Sequence, residues 1–434
     1  MDRKKSGKIS VSRREMLEIA GVSSAIGLAG CTGGGDDGGD TFKIGILQPL
    51  SGDSAEMGSR FQDVVGAGVT AVNDGAPELA PLAGAEGEGI QGQDGAEVEV
   101  LWSDHQGSSD VARTEAESMV QDDGVDMLTG TFFSGTTQVV SQVAEREQVP
   151  MVCGTAIGEG LTERGLNWFW QVPPHTGKKA ESMFNFADDM NEQYDAGLET
   201  VAILHQDGTF GTEVAKSTEQ VVEEFGYEIA PDPISYSGDS VNSLQTELRS
   251  IEDAGADIIV HSANVRDALI LLDNMETEGY YPDMMLTPGS AYLDPSLLDD
   301  ERSDFIFSGS DFADDMYDIH EPMGEYNSFS EEESGTPFDG SSIYAWGEFF
   351  SGVAAANEAE SLSPDDLQAS LNSLSLDPYE AGLPYPVEFN DQGYNEESFS
   401  FVVQAHDGEV LTVWPFDQAQ DDTMTYPVPE WDER

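Results

Sequence analysis

The chain has 434 residues, of which 84 are acidic and 18 basic, and its formal net charge is −66 at pH 7. This charge excludes nucleic acid as a partner, because no basic face is available to meet phosphates. It would destabilise a folded protein in dilute solution, whereas molar salt shortens the Debye length to about 3 Å and screens the repulsion. Hydrophobic residues form 38% of the chain, enough for a core, so we expect a folded protein of a high-salt cell.

Residues 1–30 are typical of a twin-arginine lipoprotein signal. The pair Arg13 and Arg14 precedes a weakly apolar run at 19–28, which is shorter than the about 20 residues that a transmembrane helix needs. The run leads into Leu-Ala-Gly and then Cys31, a pattern that resembles a lipobox, in which the cysteine is lipidated and becomes the new N-terminus. The alternative is an amphipathic N-terminal helix of a cytosolic protein, which would require all three features to coincide by chance.

Residues 31–40 are rich in Gly and Asp and predict a flexible tether with nothing to bury. A lipid on Cys31, a tether and a folded body together describe a protein held on the outer face of the cell membrane. Because a single lipid chain anchors only reversibly, the lipid chemistry on Cys31 determines how firmly the protein is held.

From residue 41 onward, short apolar runs alternate with segments that have apolar residues at helical spacing. This alternation predicts an α/β fold with parallel sheets covered by helices. One sheet would be too large for this length, so we expect two α/β lobes. The predicted strands are 42–47, 98–102, 125–129, 151–152, 201–204, 227–234, 258–260, 284–286 and 305–307. The predicted helices are 61–73, 111–120, 137–148, 180–194, 214–225, 244–254 and 268–278.

Ligands of parallel sheets bind beyond the carboxyl ends of the strands, so the loops that follow strands are where we expect a site. These loops are 50–58, 130–136, 154–158, 205–211, 262–267 and 287–292. The segment 87–92 fits GxGxxG in letters, but no strand precedes it and no helix follows it. Because no other catalytic motif occurs either, we expect no enzymatic activity, no cofactor and no metal site.

Two reactive residue types are expected to be structural. Cys153 follows the predicted buried strand 151–152 and is expected to be an inert core thiol. The pair Asp104 and His105 follows another strand, and we expect a structural role there rather than metal binding.

The segment 44–52 reads Ile-Gly-Ile-Leu-Gln-Pro-Leu-Ser-Gly and is followed by Met57-Gly58 and a helix that ends Ala-Val-Asn-Asp. Further segments of this kind are 122–126, 130–136, 150–152, 161–165, 207–211, 255–257, 386–389 and 391–393. In order and spacing they resemble type I periplasmic binding proteins, whose members bind leucine, isoleucine and valine, or amides and urea, for ABC importers. The resemblance covers about residues 42–415.

The resemblance implies two Rossmann-like lobes with parallel sheets, joined by a three-stranded hinge. The expected divisions are lobe one at 41–172 and 312–393, lobe two at 173–311 and 394–417, and a C-terminal surface tail at 418–434. Residues 75–95, rich in Gly, Ala and Glu, are expected to be an enlarged loop.

In lobe one the resemblance implies a ligand grip at Ser134, Gly135 and Thr136. A small-residue loop there exposes backbone N–H groups at a helix start, which favours an anionic head group. Plain helix capping is the alternative, since Ser and Thr are common N-caps. Thr155 and Ile157 form a second strip, with Ile157 at the place where relatives carry a hydroxyl.

In lobe two the resemblance implies a cover formed by Phe210, Asn264 and Ser290, with Met57 of lobe one as a wall. Aromatic and Met side chains are more often core, and capping of a helix is the alternative for Asn264. Amino-acid binders carry a glutamate in the loop that here contains Ser290, so an ammonium would lack a partner. Arg266 would add a positive charge if it turned inward. We therefore expect a carboxylate or polar neutral ligand.

The function that the resemblance implies is solute binding by hinge closure, because the ligand contacts both lobes only when they are closed. The expected partners are a small-molecule ligand, the membrane, and ABC permease subunits with their ATPases, and we expect a monomer. A ligand-sensing ectodomain coupled to a membrane signalling partner is an alternative on the same fold, and an enzyme on this scaffold is a third.

Overall fold

The computed structural model describes residues 41–52, 54–238, 240–311, 313–420 and 423–429. The predicted signal with Arg13 and Arg14, the lipidation residue Cys31 and the tether therefore lie outside the described residues. Among the helices that the structure describes, none combines the length and the apolar character needed to cross a membrane.

The first part of the described chain forms a helix-covered parallel sheet. Its elements are β1 (Thr41–Gln48), α1 (Ala55–Asp74), β2 (Glu97–Asp104), α2 (Ser109–Ser118), β3 (Met127–Gly130), α3 (Ser134–Glu147), β4 (Met151–Cys153) and β5 (Phe169–Gln171). The strand order is β2-β1-β3-β4-β5, and every pair is parallel. β3 is buried along its whole length, as a parallel strand covered on both faces should be. The predicted α/β alternation is confirmed here.

The second part forms another sheet of the same kind. Its elements are α4 (Thr176–Tyr194), β6 (Thr200–Gln206), α5 (Thr209–Phe225), β7 (Glu228–Ile229), β8 (Ile234–Tyr236), α6 (Gln245–Ala254), β9 (Ile258–Ser262), α7 (Val265–Glu278), β10 (Met284–Thr287), α8 (Pro295–Leu298) and β11 (Phe307–Ser310). β6, β9, β10 and β11 are neighbours in a parallel order. The predicted strand 227–234 is wrong as a single strand, because Pro231 and Pro233 interrupt it and leave β7 and β8.

The third part returns to the first sheet before it completes the second. Its elements are α9 (Met316–Ile319), α10 (Glu321–Ser334), α11 (Ser342–Glu358), α12 (Pro364–Ser373), β12 (Ser375–Leu376), β13 (Val387–Glu388), β14 (Phe401–His406) and β15 (Glu409–Trp414). α11 packs against α1, β3 and β4, while β14 and β15 add antiparallel strands beside β11. α11 is buried on all sides from Ser342 to Ala356, so its sequence carries no amphipathic period and was not predicted.

The described chain passes between the two sheets at 172–175, 311–315 and 389–400. The first and last of these connections are hydrogen-bonded to each other. The Asn395 amide donates to the Gln171 carbonyl at 3.1 Å, and the Asn395 side chain donates to the Val172 carbonyl at 3.1 Å. The expected lobe boundaries fall within these connections, and the division into two lobes stays a prediction.

Residues 75–95 form a loop with short 3-10 turns at Pro77–Leu79 and Gln91–Gln93. The loop buries Leu79 and Ile90, and the Gly92 amide donates to the Asn357 side chain at 2.8 Å, so the loop is packed against the end of α11. The letters of GxGxxG at 87–92 therefore belong to a packed surface loop.

The described residues of the C-terminal segment, 423–429, run along the second sheet. The Thr425 amide donates to the Gln404 side chain at 2.7 Å, and that side chain donates back to the Thr425 carbonyl at 3.0 Å. Met424, Tyr426 and Val428 pack half-buried against the core of this sheet, so this segment contributes to the folded body.

Candidate functional site

The loops that follow the strands of the two sheets meet where α3 and α5 begin. A methyl group placed on Gly135 would lie 4.0 Å from the Thr209 hydroxyl, so the two helix starts are close neighbours. α5 also packs against the short turn Glu159–Leu161 that follows β4. The carboxyl ends of both sheets therefore meet at one boundary, which we call the cleft and which is the usual place for a ligand in such folds.

Ser134 is the first residue of α3 and is the predicted grip residue that the structure leaves free. Its side chain is 4% exposed, and its hydroxyl makes no hydrogen bond with any residue that the structure describes. A methyl group on Gly158 would lie 2.9 Å from the Ser134 Oγ, so the hydroxyl points toward the loop after β4. A free hydroxyl at a helix start can bind the oxygen-rich end of a ligand.

Thr136 lies in the same turn, but its hydroxyl is already used. Its single proton is shared between the Thr131 carbonyl at 2.6 Å and the Phe133 carbonyl at 2.8 Å. The side chain is almost fully buried and stabilises the turn before α3. Of the predicted grip, the structure brings Ser134 and the backbone of Gly135 to the cleft and turns the Thr136 hydroxyl away from it.

The turn that leads to Ser134 has an uncommon backbone. Thr131 has φ 79° and Phe132 has φ 42°, and both lie in the left-handed region that non-glycine residues rarely adopt. Strain of this kind is concentrated at ligand sites, where the surrounding structure holds it in place. Here the Thr155 hydroxyl accepts a hydrogen bond from the Phe132 amide at 3.1 Å, which joins the loops after β3 and β4.

The loop after β4 also reaches the second half of the molecule. The Ile157 carbonyl accepts a hydrogen bond from the Thr176 amide at 2.8 Å, at the start of α4. The Ile157 side chain is half-buried. Thr155 and Ile157 thus hold the loop in position, and the Thr155 hydroxyl proton is left to donate to a ligand.

The predicted cover residues lie at three different loops. Phe210 is half-buried in the first turn of α5. Asn264 is exposed at the start of α7, where its amide N–H donates to Asp267 Oδ2 at 3.2 Å and its side chain donates to Gln206 Oε1 at 3.0 Å. The capping role of Asn264 is therefore satisfied in the structure.

Ser290 and Met57 complete the predicted set. Ser290 begins the short 3-10 helix Ser290–Leu293, and only its backbone is described. Gly289 before it has φ 108°, and a methyl group there would come within 2.7 Å of the Gly309 carbonyl, so glycine is required. Met57 is half-buried in α1 and packs against the core of the first half.

Arg266 does not turn toward the cleft. Its guanidinium donates to the Gly238 carbonyl at 3.0 Å and to the Val241 carbonyl at 2.6 Å. These bonds hold the loop after β8, so Arg266 supplies no positive charge to a ligand.

Glu213 was missed in the sequence and lies at the boundary between α5 and the loop after β4. A methyl group on Gly158 would overlap with Glu213 Oε2 at 2.0 Å, so the carboxyl lies directly against that loop. Glu213 Oε2 has no hydrogen-bond partner among the described residues. Burial and then the nearby Glu159 carboxylate raise the pKa of Glu213 to about 7. The feature of the sequence that could have indicated Glu213 is its position one turn after Phe210.

Glu159 and Ser217 make a direct hydrogen bond across the same boundary. Glu159 Oε2 accepts from the Ser217 hydroxyl at 2.7 Å, and Ser217 lies 3.1 Å from the Thr176 hydroxyl. The Lys216 ammonium lies 3.8 Å from the Glu163 carboxylate, with both side chains exposed. α5 is thus connected to the loop after β4 by polar contacts.

His105 and Cys153, for which we expect structural roles, are both fully buried. His105 Nδ1 accepts from the Gly107 amide at 3.0 Å, and burial lowers its pKa to about 4, so the imidazole is neutral. Cys153 is fully buried, and burial raises the pKa of its thiol to about 12, which keeps it unreactive. Among the described residues, the group with atoms close enough for a metal is Asp304, His406 and Asp407 at the turn between β14 and β15.

Known proteins share this architecture over most of the chain. A family model described as periplasmic binding protein matches residues 41–408. The Leu/Ile/Val-binding protein homolog 7 of Brucella suis biovar 1 (strain 1330) is 24% identical over 386 residues, which are 86% of this chain and 91% of that protein. A leucine-binding protein from Thermotoga maritima superposes with a TM-score of 0.70 at 14% identity, covering 87% of this chain and 100% of that one. A solute-binding protein of an ABC transporter from R. palustris, in complex with benzoate, has a TM-score of 0.70 at 16% identity, covering 88% and 99%. The chain belongs to the periplasmic binding protein family.

Proposed function

We propose that the protein is a lipid-anchored extracytoplasmic solute-binding protein that delivers a small polar solute to an ABC importer. Membership of the family and the names of its relatives support solute binding. Closure follows from the position of the cleft, because a ligand between α3 and α5 contacts both halves only when they approach each other. The proposed lobes are those bounded by the three connections.

The observation that carries the proposal is the unbonded Ser134 hydroxyl at the start of α3, opposite the start of α5. Ser134 and the backbone of Gly135 would take the oxygen atoms of the ligand, with help from the positive end of the α3 dipole. Phe210 and Glu213 would close over it from α5. Thr155 would hold the loop and offer its hydroxyl proton.

We propose a ligand that carries a carboxylate or a polar neutral group such as an amide and that, unlike an ordinary α-amino acid, has no ammonium group. Leucine and benzoate, for which two similar structures are named, share a carboxylate. The loop from Thr287 to Ser290 has no acidic residue to meet an ammonium group. Glu213 is a carboxyl at the boundary, but its pKa of about 7 leaves about half of it neutral near pH 7, so it is a weaker partner for a cation than an ordinary glutamate.

Calorimetric titration in molar KCl tests this site. The probes are L-leucine, L-isoleucine, benzoate, acetamide and urea, against the parent and Ser134→Ala, with Ser328→Ala on the exposed face of α10 as the matched control. We expect a carboxylate or amide to bind the parent, and Ser134→Ala to weaken it by about 1–3 kcal/mol. Tight binding of leucine or isoleucine that Ser134→Ala leaves unchanged would refute both the ligand class and the site.

Export and anchoring are tested separately. We expect that replacing Arg13 and Arg14 by Lys retains the precursor inside the cell, and that Cys31→Ser gives exported protein without an anchor. Cell fractionation and mass spectrometry of the mature N-terminus provide the measurement. If both variants fractionate with membranes as the parent does, the twin-arginine lipoprotein interpretation is wrong.

A further inference from the structure

One carboxyl group is buried directly beneath the two loops of the first half that form the candidate site. Glu348 lies in the middle of α11 and is 1% exposed. Its Oε2 accepts a hydrogen bond from the Gly154 amide at 2.6 Å, one residue before Thr155. A methyl group on Gly154 would lie 2.7 Å from the Glu348 Cβ, so glycine is what allows the helix and the loop to come this close.

The same carboxyl also lies beside the end of β3. The Thr129 hydroxyl, the Gly130 amide and the Thr155 amide are near enough to favour its ionised form, although the Gly154 amide is the group that makes a hydrogen bond with it among the described residues. Gly130 precedes the strained pair Thr131 and Phe132, which leads to Ser134. Glu348 therefore touches the point where each loop leaves its strand, without facing the cleft itself.

The surroundings of Glu348 contain no compensating positive charge. Among the described residues no Lys, Arg or His forms an ion pair with it, and its Oε1 has no hydrogen-bond partner. The titratable group that faces it is the Cys153 thiol from β4, which burial keeps neutral. The Tyr344 phenol, one turn earlier in α11, is directed at Lys179 and Asp311 instead. The groups of β3 near the Glu348 carboxyl are the uncharged Thr129 hydroxyl and Gly130 amide. β1 places the uncharged Gln48 side chain beside Gly130.

Because the Glu348 carboxyl is buried without a cation beside it, its protonated, neutral form is favoured. Burial raises the pKa of Glu348 to about 8 although the surrounding N–H and O–H groups favour the ionised form. Because Oε2 is the acceptor for the Gly154 amide, the proton belongs on Oε1. An ionised Glu348 would be an uncompensated buried charge, which water could solvate only if the loops moved apart.

We propose that Glu348 is a positioning residue for the ligand site: as a neutral acid it fixes the loops after β3 and β4, and its ionisation loosens both. The role in ligand binding rests on the function proposed above, whereas the loosening of the loops does not. Alkaline solution would then weaken ligand binding through loop geometry alone, with every ligand-contacting residue still present.

Hydrogen exchange of the ligand-free protein in molar KCl tests the proposal. The measurement is deuterium uptake, corrected for the intrinsic pH dependence of exchange, in peptides spanning residues 127–137 and 151–161. Variants are Glu348→Gln, which keeps a neutral side chain of the same shape, and Glu348→Leu, which removes the polar contact. The matched control is Glu358→Gln, an exposed carboxylate at the end of the same helix.

For the parent and Glu358→Gln we expect the equilibrium constant for opening of the two loops to increase about 30-fold between about pH 6.5 and about pH 9.5, as the shifted pKa requires. Glu348→Gln should show no such increase, and Glu348→Leu should exchange fast at both pH values. The proposal is overturned if the parent shows no pH-dependent loosening, or if Glu348→Gln loosens with pH as the parent does. Because no ligand is present, failure here is separate from failure of the proposed function.

Discussion

The Lys179 ammonium lies 3.4 Å from Asp311 Oδ1, and both side chains are almost fully buried where the chain passes between the two sheets. Lys179 also donates to the Tyr344 hydroxyl at 2.8 Å, and the Tyr385 hydroxyl donates to Asp311 Oδ2 at 2.8 Å. Lys179 comes from α4, Asp311 follows β11, and the two tyrosines come from the part of the chain that returns to the first sheet. This ion pair therefore ties together segments on both sides of the proposed hinge.

Breaking this pair should be strongly destabilising. Burial lowers the pKa of Lys179 and raises that of Asp311, so each charge depends on the other to remain ionised. We expect Lys179→Met to reduce the free energy of unfolding by about 3–5 kcal/mol, because it leaves Asp311 buried without a counter-ion. Urea denaturation in molar KCl measures the loss.

Lys178→Met is the control for that change. Lys178 is the neighbouring residue, and its ammonium lies 3.5 Å from the exposed Glu181 carboxylate. Its replacement should alter stability by less than about 0.5 kcal/mol. Combining Lys179→Met with Asp311→Asn should cost less than the two single changes added together, since no lone charge remains. Additive losses would contradict the pairing.

Thr136 should behave as a structural residue rather than as a ligand contact. Its hydroxyl donates to two backbone carbonyls of the turn before α3. We expect Thr136→Ala to lower the free energy of unfolding by about 1 kcal/mol. Thr136→Ser keeps the hydroxyl and should lower it by much less. A thermal melt of both variants is sufficient. Equal stability of Thr136→Ala and the parent would show that these two bonds contribute nothing.

The stability of the parent should depend on pH through Glu348. Its folded pKa of about 8 lies above the ordinary value of 4.5, so the folded state holds the proton more tightly than the unfolded state. The stabilising contribution of that proton is complete below pH 4.5 and is lost as pH rises toward 8. Relative to Glu348→Gln, the parent should therefore lose stability over this interval, and the difference should level off above it. A difference that stays constant with pH contradicts a raised pKa.

Salt should control the fold as a whole. A net charge of −66 repels itself in dilute buffer, where the Debye length exceeds about 10 Å. We expect the melting temperature followed by circular dichroism to rise steeply between dilute buffer and molar KCl. A melting curve that is the same in both solutions contradicts the view that the protein is adapted to high salt.

The sequence predicted β1 to β4 of the first sheet and most elements of the second, because apolar runs and helical periods are local signals, but it did not predict β5. It did not predict α11, since a helix buried on all sides has no polar face to mark its period. It did not predict α10 and α12 either, although both expose a polar face. The sequence also did not predict the buried polar contacts that Glu348 and Lys179 make. Gly154 and Glu348 are 194 residues apart in sequence, and Lys179 and Asp311 are 132 apart, so only the folded chain brings them together.

The candidate site was likewise predicted only in part. Ser134 and Thr136 have the same chemistry and lie in one turn, yet the Thr136 hydroxyl bonds to the backbone and that of Ser134 does not. Which hydroxyl is free depends on the left-handed conformations of Thr131 and Phe132, which no residue pattern specifies. Glu213 lies against the loop after β4 at the candidate site because α5 begins opposite α3, a relation between elements distant in sequence.

The central claim is that a small polar solute closes the two halves on Ser134. The most direct measurement is small-angle X-ray scattering of the full chain in molar KCl, with the solute that native mass spectrometry finds in the purified protein. The solute is removed by dialysis under denaturing conditions, the protein is refolded, and the solute is added back. We predict that the radius of gyration falls on addition, and that Ser134→Ala needs about 5- to 150-fold more solute for the same change, which corresponds to a loss of about 1–3 kcal/mol. A radius of gyration that does not change at saturating solute, or a Ser134→Ala response equal to that of the parent, would contradict the account.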